Sequence, residues 1–226
     1  SLYFISQDEL THIAFLGVRA LAKEETQPLC ISVHANDGQQ VVLSSEISVL
    51  SGDYGHETLY LSPEVSKLLD PKITRPELLL LAKVYAIASP ELLWEGTFDW
   101  PIGGPITSQS GTRRDYGQGI LSYHCGVDID GETGDVIVAP ASGIVVLAQE
   151  LQVRGGAVII DHGAGVLTGY YHLSDIYAEV GQAIASGDPL GEMGSTGLST
   201  GSHLHWELRV GGIAVNPMQR TQRSFP

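Results

Sequence analysis

The sequence predicts a mostly β chain in two parts. Residues 1–98 read as a small β-rich domain with one or two helices, and residues 99–226 as an antiparallel β barrel-sandwich. Three observations carry this. Of the 27 glycines, 22 lie from Pro101 onward, while all four lysines (Lys23, Lys67, Lys72 and Lys83) lie before it. The second part is a series of short β-branched runs separated by glycine turns, the pattern of a compact all-β architecture. Between the two parts, "WEGTFDWPIGGPITS" (94–108) concentrates proline and glycine, the residues of linkers and turns.

Taken in order, "CISVHA" and "QQVVLSSEISVL" are rich in β-branched residues and read as strands. "SPEVSKLLD" places Ser62 as an N-cap and Pro63 at the first helical position. "RPELLLLAKVYAIASP" reads as a second helix, with Pro76 early and Pro90 as its stop. Beyond the linker, "DVIVAP", "GIVVLAQ", "AVIIDHG" and "VLTGYYHL" read as strands. "VIVAPASGIVV" and "VGQAIASGDPLGEMG" each contain a strand, a small-residue turn and a second strand, which suggests two hairpin-like halves of a barrel-sandwich.

The bulk numbers narrow the function. The chain has 226 residues, 43% of them hydrophobic, enough for a real core. A net charge of −14 argues against gripping nucleic acid, which needs a basic footprint. Two cysteines, Cys30 and Cys125, do not make a disulfide scaffold, and two buried free thiols are expected. The most apolar run, Leu78–Ala88, is short and interrupted by Lys83, so no membrane span is expected.

Chemistry concentrates in the second part, which holds five of the eight histidines: His124, His162, His172, His203 and His205. His12, His34 and His56 form no recognisable spacing. In "GSHLHWELRV" apolar and polar residues alternate, so His203 and His205 share one face of a half-buried strand, and Leu204 and Trp206 anchor the other. In "HCGVD", His124 and Asp128 would lie ~13 Å apart on a regular strand, and Gly126 can bend it to bring them together. Two imidazoles and a carboxylate leave a tetrahedral zinc with an open fourth position, the arrangement of a catalytic site. The other histidine of the pair, or His172 in "GYYHLS", would then handle protons beside it. Cys125 points away from its neighbours on a strand and reads as a small hydrophobe. His162 reads as structural. Arg113 and Tyr116 lie just upstream of "HCGVD", and neither is assigned to substrate binding.

These residues carry a resemblance. Residues from about 101 to 217 are similar to the lysostaphin-type (LytM-like) zinc endopeptidases that cut peptidoglycan. "ITSQSGTRR" resembles the family's opening segment, with Ser110 where an aromatic is common. "HCGVD", "VIIDHGAGVLTGYYHL" and "GSTGLSTGSHLHWEL" resemble its first, central and last motifs, and "VNP" follows in the expected place. "LLWEGTFDWPI" and the residues before it are similar to the non-catalytic domain that precedes this peptidase in some bacterial envelope proteins. The resemblance implies one zinc ion held by His124, Asp128 and His205, with His172 and His203 as catalytic histidines. It also implies a peptidoglycan peptide substrate and a place in the cell envelope, periplasmic or extracellular, with a signal or anchor upstream of Ser1.

A D-alanyl–diaminopimelate crosslink is favoured as the bond cut, with a glycine bridge as the other choice. Two further readings compete with the peptidase. A biotinyl- or lipoyl-type carrier needs a lysine at a hairpin tip, and there is none after Lys83. A non-catalytic activator of other wall hydrolases would typically have lost zinc ligands or catalytic histidines, and here all five are present. The sequence does not read out an oligomeric state.

Overall fold

A computed structural model describes residues 4–6, 12–34, 39–87, 89–117, 119 and 121–222. The side chain of His34, and Ala35 in the first strand expectation, lie outside them. In the first part, β1 (Phe4–Ser6) pairs antiparallel with β2 (His12–Ala14). β3 (Thr26–His34) pairs in one unbroken register with β4 (Gln40–Ser48). This long hairpin has no further strand beside it among the described residues, so Val33, Val41, Val42 and Leu43 remain exposed. Cys30 lies on it and is exposed, and Cys125 is half-buried; both are free, but the expected burial of the pair is not found. A short strand, β5 (His56–Thr58), follows.

Both helices form. α1 (Pro63–Ser66) is capped by Ser62, whose side chain accepts from the Val65 amide. After a 3₁₀ turn at Lys67–Leu69, α2 (Pro71–Val84) begins earlier than the sequence suggests. Asp70 caps it by accepting from the Lys72 amide, and Pro71 takes the first position, which leaves Pro76 inside the helix.

The second part contains β6 (Ile106–Ser108), β7 (Arg113–Asp115), β8 (Leu121–Tyr123), β9 (Gly126–Asp130), β10 (Val136–Val138) and β11 (Gly143–Leu151). It continues with β12 (Gly155–Asp161), β13 (Val166–Leu173), β14 (Asp175–Ile176), β15 (Ala183–Ile184), β16 (Pro189–Glu192), β17 (His203–Val210), β18 (Ile213–Val215) and a last helix, α3 (Met218–Gln222). The main sheet is antiparallel, in the order β15-β11-β12-β13-β17-β9-β6, with β18 also on β17. A small sheet, β10-β16-β14, packs against one face, and no barrel closes among the described residues. The third sheet, β5-β7-β8, joins the two parts through a parallel pairing of β5 with β7.

The hairpin-like halves expected at 136–146 and 180–194 are not hairpins. β10 pairs with β16, and β11 with β15, so the two segments pair with each other. The runs between their strands carry the chain from one stacked sheet to the other, and a two-layer core is filled between them. That core holds Val127, Ile129, Leu204, Trp206 and Tyr170 from the main sheet against Ile137 and Leu190 from the small one.

The opposite face of the main sheet is also covered. Leu81, Val84 and Tyr85 of α2 pack on Leu147, Ala157, Ile159, Leu167 and Tyr171. Covered on both sides, β12 and β13 are buried along their whole length. β17 is likewise mostly buried, so the half-buried reading of "HLHWELRV" is corrected. Alternation in this strand separates an apolar layer from a buried polar one, rather than core from solvent.

At the end of the sheet, Trp94 and Phe98 pack with Ala141, Val166, Leu208 and Val210. This segment is also hydrogen-bonded to the β12–β13 turn: Ser89 donates to Asp161, and the Leu93 amide to the His162 carbonyl. Gly163, in "DHG", has φ +86°, and a Cβ there would meet the Glu91 carbonyl at 1.7 Å. Only glycine allows both the left-handed turn and this approach.

Candidate metal centre

Three potential ligands converge on neighbouring strands. β9 and β17 pair so that Asp128 lies directly opposite His205, and cross-strand partners share a face. His124 lies just ahead of β9, where the chain bends before the strand begins. The bend at 124–125, not a bulge at Gly126, brings His124 to Asp128. Gly126 contributes in another way. A Cβ there would meet the Trp206 carbonyl at 2.2 Å, so glycine lets β9 lie against β17.

The ligand atoms are close. Asp128 Oδ1 is 3.0 Å from His124 Nε2 and 2.7 Å from His205 Nδ1, and the two nitrogens are 2.8 Å apart. Tetrahedral bonds of zinc length set ligand atoms about 3.3 Å apart, so small side-chain rotations would admit the ion. Two imidazole nitrogens and one carboxylate oxygen are a zinc donor set, and all three residues are buried.

The remaining polar atoms of these residues are engaged, as second partners of metal ligands usually are. His124 Nδ1 donates to the Gln109 carbonyl (3.0 Å) and lies 3.1 Å from Ser108 Oγ, which leaves Nε2 for a metal. Asp128 Oδ2 accepts from Arg114 (2.7 Å), whose Nε pairs with Glu57 of β5. His205 Nε2 donates to Glu207 Oε1 (3.2 Å), which leaves Nδ1 for a metal. Glu207 Oε2 accepts twice from Arg209, at 2.9 and 2.8 Å. Burial alone would raise the carboxyl pKa of Asp128 and of Glu207. The neighbouring His124 and His205 rings outweigh it at Asp128, as do Arg209 and the His205 hydrogen bond at Glu207, so both stay ionised.

His172 and His203 stand beside this set, with ring centroids 4.9 Å apart. His203 Nδ1 donates to the Gly201 carbonyl (2.8 Å), and its Nε2 is 3.7 Å from Asp128 Oδ1. His172 Nδ1 donates to the Thr196 carbonyl (2.8 Å). With Nδ1 as the donor, the neutral form of each ring has Nε2 as its acceptor. Burial, with His203 and His205 adding to it, pushes the His172 imidazole down to about 3.

A backbone irregularity puts His172 there. Tyr171 pairs opposite His205, so a regular strand would turn His172 to the other face. Between Gly156↔Leu173 and Val158↔Tyr170, β13 carries an extra residue. At this bulge His172 adopts φ +66°, which re-aims its side chain to within 6.1 Å of the His205 ring. Strain of this kind at a non-glycine residue gathers at functional sites.

A cleft of about 520 Å³ opens over the site, lined by His124, His172 and His205 as well as by Glu77 and Leu78 of α2. Arg114 and Tyr116 line it, whereas Arg113 donates to the Tyr54 carbonyl. His162 lies elsewhere, buried between Trp94 and Phe98, donating from Nδ1 to the Ser142 carbonyl and accepting at Nε2 from Thr168. Glu207, Arg114 and Arg154 escaped the sequence reading as site residues. For Glu207 a signal was present: it follows His205 at the same two-residue interval that separates the histidines.

Residues 122–217 match the model of peptidase family M23. The peptidoglycan DD-endopeptidase ShyA of Vibrio cholerae is 38% identical over 99 residues, 44% of this chain and 23% of its own. The murein hydrolase activator EnvC of Escherichia coli is 32% identical over 146 residues, 65% of this chain and 33% of its own. The chain thus spans about a quarter to a third of these relatives. Among solved structures, a peptidase M23 described as putative, from Pseudomonas aeruginosa, superposes over all of this chain and 85% of its own, with TM-score 0.73 and 28% identity. A zinc-containing peptidase from Vibrio cholerae covers 55% of this chain and 40% of its own, with TM-score 0.52 and 29% identity. With its matched motifs folded around a His-Asp-His set on an antiparallel sheet, the segment 122–217 of this chain carries a domain that matches peptidase family M23.

Proposed function

We propose that the protein is a zinc-dependent endopeptidase that hydrolyses amide bonds in the peptide crosslinks of peptidoglycan, acting in the cell envelope. The observation that carries this reading is the convergence of His124, Asp128 and His205, with His172 and His203 beside them. The family, and the DD-endopeptidase among its relatives, support it.

In this reading His124 Nε2, Asp128 Oδ1 and His205 Nδ1 hold the ion. Zinc bound there supplies a polarised carbonyl and a water whose pKa falls to about 7. The protein's own residues do the rest. Gln109, Arg114 and Glu207 fix the orientation of the three ligands. His172 and His203, each with Nδ1 committed to a backbone carbonyl, present Nε2 as the atom that accepts or returns a proton. The cleft wall formed by α2 narrows access to the site. On this view residues 1–98 act as a non-catalytic domain that gates residues 99–226.

The deciding experiment is digestion of purified, crosslinked muropeptides by the zinc-loaded protein, with products read by mass spectrometry. Loss of crosslinked dimers, abolished together with zinc content in His124→Ala, is expected. Full activity in that variant would overturn the ligand assignment. The similarity to EnvC favours a second reading, a non-catalytic activator of other wall hydrolases. A zymogram on peptidoglycan separates the two, because an activator alone leaves no cleared band.

A further inference from the structure

Arg154, in the turn between β11 and β12, lines the cleft. Its guanidinium lies 3.7 Å from Glu77 Oε1 on one side and 3.7 Å from Glu207 Oε1 on the other. It rests over the Tyr171 ring, 5.5 Å from the centroid. Neither carboxylate depends on it. Glu77 already accepts the backbone amides of Val153 and Arg154, at 2.7 and 3.1 Å. Glu207 is taken by His205 and Arg209. Arg154 Nε is buried and makes no hydrogen bond among the described residues, and no hydrogen bond from the rest of the guanidinium is found among them either.

A guanidinium that is four-fifths covered, with a buried Nε and a fork that makes no hydrogen bond, is costly unless something completes it. A carboxylate matches that fork in shape and charge. Its place is also specific. Glu207 Oε1 touches both His205 Nε2 and the neighbourhood of Arg154, so the guanidinium stands one side chain from a proposed metal ligand.

We propose that Arg154 receives a free carboxylate of the substrate beside the scissile amide. The site is thereby directed to crosslinks whose amine-donating residue carries such a group. Diaminopimelate is of this kind: the centre acylated by D-alanine keeps its own carboxylate. The interior of a glycine bridge offers none. The proposal rests on the endopeptidase reading above and names the substrate class within it.

The test uses zinc-loaded protein and a ketomethylene isostere of the D-alanyl–diaminopimelate crosslink, prepared as the free acid and as the carboxamide at that centre. Calorimetry should show the wild type binding the acid at least about tenfold more tightly than the carboxamide. Arg154→Gln should bring that ratio to about one, and Arg154→Lys should recover part of it. A ratio near one in the wild type, or the wild-type ratio retained in Arg154→Gln, overturns the proposal. If Arg154→Gln does not fold, Arg154→Lys decides: it keeps the charge but not the fork, and an undiminished ratio overturns the assignment. Hydrolysis of the parent crosslink is measured alongside. Hydrolysis without acid preference removes Arg154 alone, whereas acid preference without hydrolysis removes the endopeptidase reading and leaves Arg154 standing.

Discussion

At the scale of single residues, the strongest dependence is of a proposed ligand on the group behind it. Glu207 holds His205 by Nε2 and is itself held twice by Arg209. Replacing a partner of this type commonly lowers metal affinity 10- to 100-fold. Glu207→Gln should therefore bind zinc about tenfold or more weakly in a chelator competition, with the fold kept in circular dichroism. His162 gives a prediction in pH. Burial pushes its imidazole down to about 4 from an ordinary 6.5. Between those values the unfolded chain binds a proton that the folded one refuses, so stability is full above about pH 6.5 and falls as the pH drops towards 4. The loss at this one residue is about 3 kcal/mol. Urea midpoints at pH 7.5, 6 and 4.5 should show a decline that is shallower in His162→Gln.

At the scale of elements, two local features position the site. β9 can lie against β17 only because residue 126 has no side chain. Gly126→Ala would force the strands apart at the pair that carries Asp128 and His205, at a cost of about 1–3 kcal/mol. A lower thermal midpoint and weakened zinc binding are expected together, and an unaltered zinc affinity would show that the strand spacing is not what sets the ligands. The bulge in β13 is the second feature. It is invisible in "VLTGYYHL", which reads as an uninterrupted strand, because the extra residue exists only relative to β12. The candidate triad is more legible than His172. Asp128 and His205 follow strand alternation and His124 a short spacing, whereas His172 reaches the site by breaking alternation.

At the scale of the whole molecule, α2 is part of the main sheet's cover. Leu81 is buried against Leu147, Ala157 and Tyr171 in a cluster that belongs to both parts of the chain. Leu81→Ala should destabilise the protein by about 2–5 kcal/mol, in one cooperative transition if the two parts unfold together. A first transition confined to residues 1–98, with the sheet melting at the wild-type temperature, would contradict that coupling. The cleft belongs to this scale as well. Glu77 and Leu78 of α2 line it together with His172, Arg154 and Glu207.

Composition and spacing by themselves determined a mostly β chain, both helices, and His124, Asp128 and the His203–His205 pair as metal candidates, the choice of His205 coming from the family resemblance. Each rests on local physics: β-branched runs, proline and serine at helix starts, and side-chain alternation along a strand. The tertiary structure alone decided which strands pair, that the sheet stays open, and that β17 is covered on both faces. It also decided that a bulge turns His172 inward, and that Glu207, Arg114 and Arg154 surround the set. Those outcomes depend on neighbours distant in sequence. No local pattern records whether a strand's second face meets water, another sheet or a helix.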